Sequence, residues 1–192
     1  MNHSTTSPQP NREPFPHRSG PVIRTRTILE RVLVLNYDPV MDDRYALERL
    51  KYRYLRTLDL KQWDEFAACF VPEATADYAG LAFGSRDELV GYMRANLGPG
   101  LITMHTAHHP EIEVSGDEAT AIWYLEDTVL APELSFALEG AAFYEDHCVR
   151  TPDGWRIVHT GYRRTYEKSW STSDVASLKI TTGTAYEAPP GL

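Results

Sequence analysis

Residues 101–130 read LITMHTAHHPEIEVSGDEATAIWYLEDTVL, and the period of this stretch decides the fold. Up to Leu97 apolar residues recur every three or four positions. After Gly100 they alternate with a period of two, the mark of half-buried strands. Ser115-Gly116-Asp117 is a turn signal, so an antiparallel pair is predicted over about 101–114 and 118–130. Two more strands are expected at about 134–150 and 155–166, joined at Pro152-Asp153-Gly154, with a shorter one near 74–79.

Upstream of the strands the pattern is helical. Asp38-Pro39 reads as a turn and Asp42 or Asp43 as a helix cap. Leu47, Leu50, Tyr54 and Leu58 then form the stripe of an amphipathic helix. A short helix is expected from Trp63 to Phe70, ending before Pro72. A third begins at Ser85, which stands at capping-box spacing from Glu88, and Gly98-Pro99-Gly100 stops it after Leu97. The class is α+β: three N-terminal helices packed on one face of a curved, mostly antiparallel sheet. The chain divides into an arm (1–40), a domain (41–170) and a tail (171–192), where only Leu178-Lys179-Ile180 has strand character. Within the arm, Val32-Leu33-Val34-Leu35 needs a partner surface, on the domain or on another subunit.

Composition excludes several functions. The 192 residues are 42% hydrophobic, enough for one packed core, and carry a formal charge of −8. So acidic a chain is unsuited to neutralising a phosphate backbone, and no nucleic-acid partner is expected. Residues 1–37 hold five Arg against two Glu, too sparse for a polybasic anchor. No apolar run approaches the ~20 residues of a membrane span, and the N-terminus lacks the hydrophobic stretch of a signal peptide. A cytoplasmic protein without a membrane partner is expected. Cys69 and Cys148 fit neither a disulfide framework nor a zinc cluster and read as buried spacers.

The ionisable residues on apolar faces suggest a pocket. Even positions of the first long strand give Ile102, Met104, His108, Ile112 and Val114, whereas His105 and His109 share the other face with Thr103, Glu111 and Glu113. Alternation therefore selects His108 as the inward histidine, provided Pro110 introduces no bulge. It is either a hydrogen-bonded core residue or a general base near neutral pH. On the next strand Asp127 stands among Ala119, Ala121, Trp123, Leu125, Val129 and Ala131, so it must be paired, neutralised or lining a wet cavity. Asp59 falls at the end of the first helix, where its charge opposes the helix dipole and needs a tertiary reason. Tyr54 is a buried phenol seeking a partner. Tyr162, Arg164 and Tyr166 share a face of the last strand, with Arg164 either an anion clamp or an exposed charge. The set His105-x-x-His108-His109 is split across two faces, so no metal site is expected. No GxSxG, Walker A or GxGxxG motif occurs.

These residues carry a resemblance. The arrangement is similar to the SnoaL-like branch of the nuclear transport factor 2-like superfamily. Within it the chain resembles the bile acid 7-alpha-dehydratase family and, more distantly, the scytalone dehydratases. The likeness runs from about Asp43 to Trp170. Its strongest stretches are LKYRYLRTLD (50–59), MHTAHHPEI (104–112), WYLED (123–127) and TGYRRTYE (160–167). It implies a cone of helices around a curved sheet, catalysis without metal or organic cofactor, a homotrimer, and removal of water from a hydroxylated steroid enone. Carried over, its functional residues fall on Tyr54, Asp59, His108, Asp127 and Arg164. The implied roles are a phenol donor (Tyr54), a base (His108), its orienting carboxylate (Asp59), a supporting carboxylate (Asp127) and a contact to a polar end of the substrate (Arg164). The substrate would be a small hydrophobic cyclic molecule, free or as a coenzyme A thioester. The segment Thr128–Ala141 is not similar, so the resemblance carries the chemistry further than the substrate. An isomerase or cyclase using the same proton abstraction is the alternative, beside a non-catalytic ligand-binding or oxygenase accessory module.

Overall fold

The computed structural model describes residues 39–183, with side chains from residue 42 onward. The expectations for the arm, including the docking of Val32–Leu35, lie outside the described residues. Helix α1 spans Pro39–Asp59, α2 Trp63–Ala67 and α3 Arg86–Asn96; the strands are β1 Phe70–Tyr78, β2 Leu81–Phe83, β3 Ile102–Ser115, β4 Glu118–Ala131, β5 Phe136–Thr151 and β6 Gly154–Ser171. The sheet has the order β2-β1-β6-β5-β4-β3, with β1 parallel to β6 and every other pairing antiparallel.

Among the described residues the helices do not form one N-terminal block, because the β1–β2 hairpin separates α2 from α3. Helix α1 starts at Pro39, a residue suited to the first helical position because its missing N–H would have no partner there. Asp43 is thus inside the helix; its carboxylate binds the Arg150 guanidinium at 2.7 Å through both oxygens and takes the Trp155 indole N–H at 3.1 Å. Helix α2 is shorter than expected, since Phe70 already begins β1. For α3, Ser85 Oγ accepts the Glu88 N–H at 3.2 Å and Glu88 returns a carboxylate to the Gly84 N–H at 2.8 Å. Residues 178–180 form no strand.

Leu47, Leu50, Tyr54 and Leu58 are all buried, as their spacing demands, and α1 packs against β3 and β6. Strand β4 alternates without a fault from Glu118 to Asp127, putting Ala119, Ala121, Trp123, Leu125 and Asp127 inside. Below the aromatic core lies a buried ion pair. Lys51 Nζ meets Asp146 at 2.9 Å, Thr160 Oγ1 donates to the same carboxylate at 2.7 Å, and both charged side chains are at most 3% exposed.

The end of α1 is unusual. Gln62 N–H bonds to Thr57 O at 2.8 Å and Lys61 N–H to Leu58 O at 3.1 Å, a Schellman closure with Lys61 in the left-handed region at φ 59°. Glycine is the usual occupant; a residue with a Cβ costs about 1–2 kcal/mol there. Asp59, in the last helical turn before the closure, faces β3.

Candidate active site

Asp59 is the centre of a polar cluster. Its Oδ1 accepts from His105 Nδ1 at 2.7 Å and from Thr103 Oγ1 at 2.8 Å, and its Oδ2 accepts from the His105 backbone N–H at 2.9 Å. A carboxylate in that position only accepts, so Nδ1 carries a proton, and in the neutral ring the lone pair is on Nε2. Among the described residues Nε2 has no hydrogen-bond partner. The two side chains are 14% and 19% exposed, shielded from bulk water but reachable.

The inward histidine is therefore His105, and the reading that placed His108 on the apolar face is overturned. Ladder pairing slips between His108 and Glu111, where His109 adopts φ 43°. Before this bulge odd residues point inward (Thr103, His105); after it even residues do, with Ile112 buried. His108 faces the other side of the sheet, 38% exposed, with Nε2 at 3.3 Å from Glu126. Pro110, which cannot donate to a ladder, was the available signal.

Asp127 stands opposite His105 in the β3–β4 ladder. Buried at 6% exposure, it is clamped by Arg164 through both guanidinium nitrogens, Nη2 at 2.9 Å and Nη1 in a still closer contact. Arg164 Nε also reaches Glu167 at 3.4 Å, and the guanidinium lies 5.0 Å from the Tyr162 ring. The hydrogen bonds to Asp127 push the Arg164 pKa above the ordinary arginine value. With two carboxylates upon it, Arg164 is no open anion clamp; it holds Asp127. The pair needs space that only glycine leaves: a Cβ on Gly140 would press on Arg164 Nη1 and stand 3.1 Å from Asp127 Oδ1. A second bulge, at Ala141–Ala142, pairs Ala142 with Arg164 and Ala141 with Tyr166, so Tyr166 does not share the inward face of Tyr162 and Arg164.

Tyr54 is fully buried. Its hydroxyl lies 2.7 Å from that of Tyr78 and 3.3 Å from that of Tyr144. Three phenols making two bonds keep one hydrogen uncommitted, a donor for an oxygen brought to the cluster. Burial pushes all three pKa values up, so these groups stay protonated at working pH. Tyr162 stacks on Tyr78 at 5.3 Å and extends the aromatic wall towards Arg164. Sequence reading singles out Tyr54, Asp59, Asp127 and Arg164; it does not single out Tyr78 and Tyr144, which meet Tyr54, or Thr103 and Lys61, which join the Asp59 cluster. Thr103 was legible as the odd-parity companion of His105; Tyr78 and Tyr144 converge only through the sheet.

The arrangement brings together the His105 imidazole, the Asp59 carboxylate at its Nδ1 and, opposite it in the ladder, Asp127, beside a buried cluster of three phenols. Among the described residues no group of three His, Cys, Asp or Glu side chains could hold a metal ion, and no helix is long and apolar enough to cross a membrane.

Known proteins resemble this chain in sequence or in fold. An uncharacterized protein of Mycobacterium tuberculosis, Rv2910c, is 27% identical over 131 residues, covering 67% of this chain and 89% of that one. The crystal structure of a candidate scytalone dehydratase from Novosphingobium aromaticivorans superposes with a TM-score of 0.63 at 22% identity, over 67% of this chain and 87% of the other. LinA-type3, a hexachlorocyclohexane dehydrochlorinase from Novosphingobium barchaimii, gives 0.63 at 17% identity, over 74% and 97%. At these identities the two structures attest the fold. The family model for the SnoaL-like domain matches residues 39–161, well over half of the sequence, and the chain belongs to that family.

Proposed function

We propose that this protein is a cofactor-independent lyase that eliminates water from a hydroxylated cyclic enone. The observation that carries the reading is the His105–Asp59 pair: a 2.7 Å hydrogen bond that fixes the tautomer and leaves Nε2 to take a proton. His105 removes the acidic proton of a carbon conjugated with the carbonyl, and the C–H electrons pass into a dienolate. Asp59 stabilises the imidazolium. The uncommitted phenol hydrogen of the Tyr54–Tyr78–Tyr144 cluster bonds to the carbonyl oxygen as it gains charge. Collapse of the dienolate breaks the C–O bond, and the leaving hydroxide takes the proton from the imidazolium, so substrate becomes dienone plus water. Asp127, held by Arg164, supports the histidine side of the site. The names of structural neighbours, a dehydratase and a dehydrochlorinase, fit elimination; the aromatic wall and the resemblance to steroid-acting dehydratases favour a steroid or similar polycycle. A homotrimer is the assembly proposed with it, to be checked by light scattering.

The test is proton NMR in deuterated water with a 7-hydroxylated 3-oxo-4-ene steroid. Loss of the carbinol signal with growth of a dienone is expected, and His105→Gln should slow it by about 10²–10⁴. Full turnover by that variant would refute the assignment. Deuterium entering beside the carbonyl without loss of water would make the protein an isomerase or cyclase.

A further inference from the structure

Lys61 is the least expected residue near the site. It occupies the left-handed position that closes α1, at φ 59°, where glycine fits without strain and a lysine adds nothing to the turn. Its side chain supplies the reason. Lys61 Nζ lies 2.6 Å from Thr103 Oγ1. An ammonium only donates, so Oγ1 accepts from Lys61, and the one hydroxyl hydrogen is committed to Asp59 Oδ1, 2.8 Å away. The directions of a four-residue chain are thereby set: Lys61 donates to Thr103, Thr103 to Asp59, and His105 to Asp59.

Other charged groups surround the pair. On β4, Asp127 stands opposite His105 but is clamped by Arg164 of β6, which Glu167 also contacts. Arg56, one turn before Asp59 on α1, acts electrostatically on Cys69. On α2, Asp64 is exposed and pairs with Arg94 of α3. Lys61 is hydrogen-bonded into the Asp59 network as a cation through Thr103.

We propose that Lys61 is a positioning residue for the His105–Asp59 pair. Working through Thr103, it locks the Asp59 carboxylate and offsets part of its negative charge, keeping the imidazole less basic than Asp59 alone would make it. The proposal rests on His105 being the proton-accepting group.

The experiment is an NMR titration of the His105 Cε1–H resonance in the full chain, for wild type and for Lys61→Gly, Lys61→Arg and Thr103→Val. Lys61→Gly suits the turn, so its Tm should equal or exceed that of wild type. Removing a charge this close raises the His105 midpoint by about 0.5–1 pH unit. Thr103→Val, which cuts the chain, should raise it too, and Lys61→Arg, which keeps the charge, should restore most of the wild-type value. The acidic limb of the pH–rate profile should move with the midpoint in each variant. A Lys61→Gly midpoint equal to wild type overturns the proposal, as does a Lys61→Arg midpoint equal to that of Lys61→Gly. The titration needs no substrate, so the two readings fail separately. An unmoved midpoint alongside an inactive His105→Gln rejects only the role of Lys61. A moved midpoint alongside a fully active His105→Gln overturns His105 as the proton-accepting group, while the coupling of Lys61 to the pair stands.

Discussion

Asp59→Asn removes one charge and almost no volume, so its effect falls on the hydrogen bonds of the site. Oδ1 takes two donors, the His105 ring and the Thr103 hydroxyl, and Oδ2 takes the His105 backbone N–H. An asparagine keeps one carbonyl oxygen and puts an NH2 in place of the other. If the carbonyl serves the ring, the NH2 faces the backbone N–H, donor against donor. Turned over, the NH2 faces Nδ1 and drives the proton to Nε2, which removes the base. Either way a buried donor is left unsatisfied, about 1–3 kcal/mol, and Tm should fall by about 2–12 °C for a domain of this size. The imidazolium also loses its counter-charge, and the loss of general-base catalysis is ~10²–10⁴, or about 3–5 kcal/mol in the barrier. The assay pairs kcat/KM on the enone with long-range nitrogen–proton NMR of the His105 ring, which reports the tautomer directly. A variant within threefold of wild type that keeps its proton on Nδ1 would remove Asp59 from the mechanism.

Three other perturbations separate the elements of the structure. His108→Ala removes an exposed side chain bonded only to Glu126, so kcat/KM should stay within about threefold and stability within about 1 kcal/mol; a hundredfold loss of activity would return catalysis to His108. Asp146→Asn breaks a buried pair with Lys51 and should cost about 3–5 kcal/mol, which calorimetry would read as a Tm lowered by about 6–20 °C. The pH dependence has a definite sign. Burial holds the Lys51 pKa below the ordinary lysine value, so the folded state binds fewer protons than the unfolded one and stability rises with pH through that window. Losing Asp146, which opposes the shift, lowers the Lys51 pKa further, so the variant's deficit should shrink as pH rises towards the ordinary lysine range; a deficit constant with pH would contradict this. Gly140→Ala pushes a methyl against the Arg164–Asp127 pair and should cost about 1–3 kcal/mol, read by denaturant unfolding, whereas an unchanged midpoint would mean that the guanidinium swings aside freely.

What could be read from the sequence alone rests on local periodicity. The stripe of Leu47, Leu50, Tyr54 and Leu58, the Ser85–Glu88 cap, the alternation of β4 and the turns at Gly116 and Gly154 each depend on a few neighbouring residues, and each recurs in the structure. The inward carboxylate of Asp127 was legible for the same reason. Tertiary structure alone decided which histidine enters the site, because parity holds only while a strand pairs without interruption. One extra residue at the His108–Glu111 bulge exchanges the two faces, and another at Ala141–Ala142 takes Tyr166 away from Arg164. The partners of Asp59 come from β3, more than forty residues later, and Lys51 meets Asp146 across 95. No local pattern encodes such meetings, since they depend on which strands the sheet sets beside α1.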